Sequence, residues 1–233
     1  MMPRQTFDFG AETGQDTVLS PAVLQSRLDA IDRQVRELEP GAGGHRMARA
    51  RLDKEAAWVL LDLMRNKLAW ERARPLFDTF FHERSWEDAI EICEILFRCN
   101  RARSLPALGQ GVWLSVTFPV DPAITLSMLQ YVVDETPPEA DGAAVAAATA
   151  VHVYHLRKDR AEHDDLYVDV MQMLTTVGRR HSDVHDQADF DAWIARMELD
   201  NPEKFLVRLR NVIDVLVQDE WWFDREQVQS TLP

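Results

Sequence analysis

Two histidines four residues apart, His181 and His185, occur in the run His-Ser-Asp-Val-His-Asp together with Asp183 and Asp186. On a helix that spacing puts both imidazoles on one face. Mixed nitrogen and oxygen donors of this kind suit a divalent transition metal. Such a centre, with His181, His185 and Asp186 as ligands and His152 or His155 beside them, would make the chain a metal-dependent or small-molecule-binding enzyme. Two features weigh against it. The run reads as a loop between helices, and the glutamate that zinc proteases place between such histidines is missing. A polar connection rich in N-capping aspartate is the preferred reading, and no metal or cofactor is expected.

The remaining reactive side chains have similar bland explanations. His152 and His155 lie three apart on an alanine-rich helix, where a histidine at a core edge bonded to a backbone carbonyl is the usual outcome. Glu162–Asp165 read as the acidic first turn of the next helix, which its dipole favours. Facing Glu-x-x-His pairs, the signature of di-iron bundles, do not occur. Cys93 and Cys99 lack Cys-x-x-Cys spacing. Cys93 is expected on a packed face. Cys99 stands beside Arg98 and Arg101, which would lower its pKa. Ser104, Ser115 and Ser127 have no nucleophile-elbow context. The glycine-rich Gly41–Gly44 is followed by His45 and Arg46 instead of the Lys-Ser/Thr of a phosphate loop.

One side-chain group points to recognition. Trp221, Trp222 and Phe223 are adjacent and flanked by Asp219, Glu220 and Asp224. Neighbouring tryptophans on a helix cannot face the same way. They form either an aromatic–acidic anchor for another protein or a C-terminal plug packed on the last long helix. The arginines Arg72, Arg74, Arg98, Arg101 and Arg103 either face acidic groups of the fold or receive an anion.

These residues must be positioned by helices. Residues 1–19 are polar and aperiodic and read as a flexible tail. Ser20 and Pro21 open a helix as N-cap and first residue. Leu24, Leu28, Ile31, Val35 and Leu38 give it a narrow apolar seam. The segment 20–39 therefore docks on the body or pairs with a second copy of the chain through 24–38. After the break at Pro40–Gly44, one long helix is expected over Met47–Arg72. Pro75 should end it or open the next.

Residues Leu76–Asn100 (LFDTFFHERSWEDAIEICEILFRCN) mix histidine, cysteines and carboxylates, yet helical periodicity dominates them. Leu76, Phe77, Phe80 and Phe81 form one stripe. Ser85 with Asp88 gives a capping-box-like start to a second helix, whose inner side carries Trp86, Ala89, Ile90, Cys93, Leu96 and Phe97. Two such helices make an antiparallel hairpin. The pattern resembles a tetratricopeptide repeat, with Leu76 and Phe80 in its first helix and Ala89 in its second. Ala73, Phe77, Cys93 and Arg101 depart from the consensus. Leu108, Gly109 and Val112 echo it, with residues 121–135 as partner helix, and residues 141–157 with 164–177 make a third pair. The resemblance spans 73–178 at most and implies a surface for peptides or partner proteins. Only Val112–Phe118 looks strand-like, and it is read as a helix end. Ala143–Ala150 should sit centrally, because alanine lets helices approach closely. Pro202 opens the last long helix.

The chain of 233 residues has a net charge of −13. The first 110 residues carry 16 basic and 17 acidic side chains; the remainder carries 10 and 22. That acidic half repels phosphates, so direct nucleic-acid binding is excluded. No apolar run spans a bilayer, the N-terminus has no apolar signal core, and two cysteines make no disulfide framework, so a reduced, cytoplasmic protein is expected. The fold expected is all-α: a single helical domain over 20–233, with a docking or dimerisation helix at 20–39, stacked hairpins over 47–178 in a partly α-solenoid arrangement, and C-terminal helices over 187–233. The expected function is that of a non-enzymatic interaction, adaptor or accessory protein. The metal-dependent enzyme and an acidic mimic of a polyanion that binds a basic protein are the alternatives.

Overall fold

The computed structural model describes residues 19–38, 43–158 and 166–230. Those residues form eleven α-helices and no strand: α1 (Pro21–Glu37), α2 (Gly43–Asp62), α3 (Asn66–His82), α4 (Trp86–Arg98), α5 (Ser104–Thr117), α6 (Pro122–Glu135), α7 (Asp141–Arg157), α8 (Leu166–Ser182), α9 (Gln187–Arg196), α10 (Pro202–Val217) and α11 (Arg225–Ser230). The expected tail, residues 40–42 of the expected break and the acidic run Glu162–Asp165 lie outside the described residues. Among the described residues, no helix is long and apolar enough to cross a membrane.

Each helix from α1 to α8 packs on the next, and α9 on α8. Most connections are short, so successive helices run antiparallel. Two layers result. The even helices touch one another in series, α2 with α4, α4 with α6 and α6 with α8. On the other side α10 wedges against both α5 and α7. Leu24, Leu28, Ile31 and Val35 of α1 are buried on the body, so a dimer formed through 24–38 would require α1 to leave α2. The alanines of α7 explain its central place: Ala143, Ala144, Ala146 and Ala147 expose no surface beneath α6, α8 and α10.

Local chemistry sets many boundaries. Ser20, Asp121, Asp186 and Asn201 each accept a backbone N–H from the first turn that follows them, with proline at the start of α1, α6 and α10. Ser85 precedes α4, but its hydroxyl donates to Asp88 Oδ2 at 2.7 Å instead of capping an N–H.

The single helix expected over Met47–Arg72 is two. The chain breaks at 63–65, where Met64 adopts φ 58° and the N–H groups of Met64 and Arg65 bond back to Leu61 and Leu60. This is the reversal that usually ends on glycine, and a methionine in its place hides the signal. Met64→Gly should relieve the left-handed strain at an exposed position, for a net gain of about 0.5–1 kcal/mol after the entropic cost of glycine. Urea unfolding checks it: the midpoint should rise with the slope unchanged. Pro75 corrects a second expectation. It lies inside α3, where it costs the Glu71 carbonyl one donor. Glu71 is on the exposed side, and burial of Ala69, Ala73, Phe77 and Phe80 carries the helix through. Val112–Phe118 is the helical end of α5 and its C-cap, as expected.

Candidate functional site

The carboxylates of the Leu76–Asn100 stretch converge on one face. Along α4, Asp88, Glu91 and Glu94 recur every three residues and look between α2 and α6. Lys54 of α2 donates to Asp88 Oδ1 at 2.6 Å and also to Glu91. Trp58 Nε1 donates to Glu91 Oε1 at 2.6 Å. Arg51 Nε donates to Asp88 Oδ2 at 3.1 Å. Tyr131 of α6 donates its hydroxyl to Glu94 Oε1 at 2.8 Å. Arg98 stacks over the Trp58 ring, 4.9 Å from its centroid.

A groove of about 600 Å³ opens above this network. Its floor is α4; one wall is α2, the other the segment 119–124. Trp86 and Ile124 supply half-buried apolar surface, and Arg84, Glu87 and Arg51 supply charge around the rim. Trp86 is fixed by stacking on Phe118, with centroids 3.7 Å apart and planes at 9°. The groove thus has a polar floor and a mixed rim.

The floor's electrostatics follow from burial and pairing. Burial would depress the Lys54 ammonium, but Glu91 and Asp88 outweigh it and hold its pKa above the ordinary range. Burial would raise Asp88, but Lys54, Ser85 and Arg51 outweigh that and hold it low. Glu94 is only 4% exposed. Burial pushes its carboxyl up, against the Tyr131 hydrogen bond and the charge of Arg98. Burial likewise raises Tyr131, and the Glu94 carboxylate adds to it. Asp88, Glu91 and Glu94 are thus each engaged by a neighbouring donor.

The sequence-predicted metal residues are dispersed. His181 Nδ1 meets Ser182 Oγ at 2.7 Å and its Nε2 meets Asp141 Oδ1 at 3.2 Å. His185 pairs with Asp183 at 3.0 Å, and Asp186 caps α9. The Ser182–His181–Asp141 chain has the order of a nucleophile, base and carboxylate. Arg196 donates to Ser182 Oγ at 2.8 Å. Arg208 ties Asp141 to α10 at 2.9 Å. The network therefore joins the ends of α7, α8 and α9 to the middle of α10. Among the described residues, no group of three or more His, Cys, Asp or Glu side chains is placed to hold a metal. His152 lies against Phe205 and His155 against Tyr154 and Tyr167. Both cysteines are buried. Cys93 is raised by burial, and burial raises Cys99 to about 11 despite Arg101, reversing the expectation of an activated thiol.

Trp221, Trp222 and Phe223 are half-buried. They pack across α3 and α5, on Phe77, Phe81 and Trp113. The arginines divide. Arg103 reaches Glu220 at 2.9 Å, Arg72 pairs with Asp32 and Asp53, and Arg74 stacks on Trp222.

The α4 floor escaped the sequence because its partners are 33 to 37 residues away. The one available signal was the three-residue spacing of acids on α4 opposite a lone lysine of α2. No family model, no curated protein and no solved structure matches this chain.

Proposed function

We propose that the chain is a cytoplasmic, non-enzymatic interaction protein that holds an extended segment of a partner protein in the groove over α4. One observation carries the reading: a groove of about 600 Å³ whose floor acids are engaged by Lys54, Arg51, Trp58 and Tyr131, with Arg84 and Glu87 at its rim. Arg84 at the rim adopts φ 55°. The hairpin pairing α3/α4, α5/α6 and α7/α8, with even helices touching in series, supports a repeat-like, tetratricopeptide-type stack as the scaffold. In such a stack an inner helical layer offers successive side chains to one bound strand of chain. A bound segment would place an acidic residue at Arg84, a basic one at Glu87, and an apolar residue on Trp86 and Ile124.

The test is a random-peptide display selection on the full chain, followed by binding measurements on groove variants. Selected peptides are expected to lose at least tenfold affinity for Arg84→Glu and for Trp86→Ala, with melting curves of both variants showing a folded protein. Peptides that bind both variants as well as the parent, or a selection that enriches nothing, would sink the proposal.

A further inference from the structure

The opposite layer carries a second recognition geometry. After Val217 the chain turns at Gln218, which adopts φ 54° and ψ −127°, a backbone region open to glycine and strained for glutamine. Residues 219–224 then cross α3 and α5 in irregular conformation. Their backbone is held at two points. Gln110 of α5 is fully buried. Its side-chain oxygen accepts the Trp222 N–H at 2.8 Å, and its amide nitrogen donates to the Glu220 carbonyl at 3.4 Å. One amide thus fixes the register of a crossing segment at two points two residues apart.

Side chains fill the rest of the groove. Trp222 meets Phe77 edge-on at 4.8 Å and lies under the Arg74 guanidinium at 4.0 Å. Phe223 stacks on Phe81 at 4.7 Å and leans on Trp113 at 5.2 Å. Glu220 pairs with Arg103 at 2.9 Å. The groove therefore offers aromatic walls, two arginines and a buried backbone clamp to a segment that is aromatic and acidic. The segment itself is half-exposed, it begins at a strained hinge, and the α11 helix beyond it buries no residue.

We infer that the α3/α5 groove is a docking site for an acidic segment of a partner protein bearing consecutive aromatic residues, and that residues 219–224 are its intramolecular occupant. Backbone capture with aromatic pockets and a flanking charge pair is the chemistry of linear-segment recognition. The tethered occupant competes at the high effective concentration of a short linker, so a free segment binds well only when the tether is weakened. This site is on the other layer from the α4 groove and stands without it.

The experiment uses a fluorescent peptide with the sequence of residues 218–226 and fluorescence anisotropy on the full-length chain. Two variants weaken the occupant: Trp222→Ala/Phe223→Ala, which removes its aromatic anchors, and Glu220→Lys, which breaks only the Arg103 pair and preserves folding should the first variant not fold. The first is expected to bind the peptide at least tenfold more tightly than the parent, and Glu220→Lys, which breaks an exposed pair, about threefold more tightly. Adding Arg103→Glu to the Trp222→Ala/Phe223→Ala variant, or to Glu220→Lys should that variant not fold, should weaken peptide binding at least fivefold, because the peptide's Glu220 then meets a like charge. A scrambled peptide should not bind. Equal affinity for parent and folded variants, or equal binding of the scrambled peptide, would overturn the inference. So would a concentration-dependent dimer of the weakened variant in sedimentation, because the groove's occupant would then be a second copy of this chain. The 218–226 peptide should also leave peptides selected on the α4 groove bound, so failure of one site is told from failure of the other.

Discussion

Lys54→Met is expected to lower the stability of the folded chain by about 3 kcal/mol, the lower end of the range for breaking a buried ion pair. The ammonium has little exposed surface and bridges Asp88 and Glu91. Methionine fills similar volume, so the loss is electrostatic: two desolvated carboxylates lose their shared cation. Arg51 and Ser85 still reach Asp88, and Trp58 still reaches Glu91, which is why the low end applies. Denaturant unfolding of Lys54→Met and of Lys54→Met/Glu91→Gln checks the cause. The second change removes one uncompensated charge and should restore part of the loss, a positive coupling between neighbours. No recovery would place the effect in packing. The pH dependence has a definite sign. Asp88 titrates below its ordinary 3.8 in the folded chain, so its contribution is present above that value and is lost as pH falls through the folded pKa. Lys54 titrates above its ordinary 10.5, so its contribution is complete below that value and fades as pH rises through the folded pKa. The deficit of the variant should therefore be widest between these limits and narrow at both ends.

The same lysine shows what a sequence can disclose. Helix starts are local: Ser20 before Pro21, Asp121 before Pro122 and Asn201 before Pro202 each combine a cap with a fixed φ, and the structure places a helix at each. The period of the apolar residues identifies Phe77, Phe80, Ile90 and Cys93 as core for the same reason. The α2–α3 break was hidden because its left-handed residue is Met64, whose side chain carries no turn signature. Both grooves were hidden for a topological reason. Asp88 meets Lys54 from 34 residues away, and Gln110 meets Glu220 and Trp222 from 110 and 112 residues away. Nothing in the local pattern Leu-Gly-Gln-Gly-Val distinguishes a glutamine that clamps another backbone from one facing water. The pair Trp221–Trp222 was legible as unusual, but its surroundings depend on where α10 delivers it.

That delivery rests on a glycine, and Gly109→Val is expected to destabilise the chain by about 3 kcal/mol, the upper part of the range for overpacking a core. Glycine inside a helix ordinarily costs up to about 1 kcal/mol relative to alanine, so a larger residue at an open site would be neutral or favourable. Position 109 is closed. A Cβ there would stand 2.5 Å from Val217 Cγ2, 3.0 Å from Leu216 Cβ and 3.4 Å from the Ile213 carbonyl. Val217 is fully buried and short, and Leu216 Cβ is tied to the backbone, so relief comes only by moving α10 away from α5. The effect then spreads in a defined direction. Gly109 precedes Gln110, and α10 leads into the segment that Gln110 holds. Valine at 109 should therefore loosen the 219–224 segment as well as the core, seen as a shift and broadening of tryptophan fluorescence in protein that is still folded, alongside the lower unfolding midpoint. Gly142→Ala is the control. Its Cβ would meet only ordinary contacts, 3.4 Å and 3.5 Å to Thr136 and 3.5 Å to Val212, so helix propensity should leave that variant as stable as the parent or slightly more so. If Gly109→Val matched Gly142→Ala, α10 would not be seated on α5 as described, and the clamp at Gln110 would lose the support that positions its occupant.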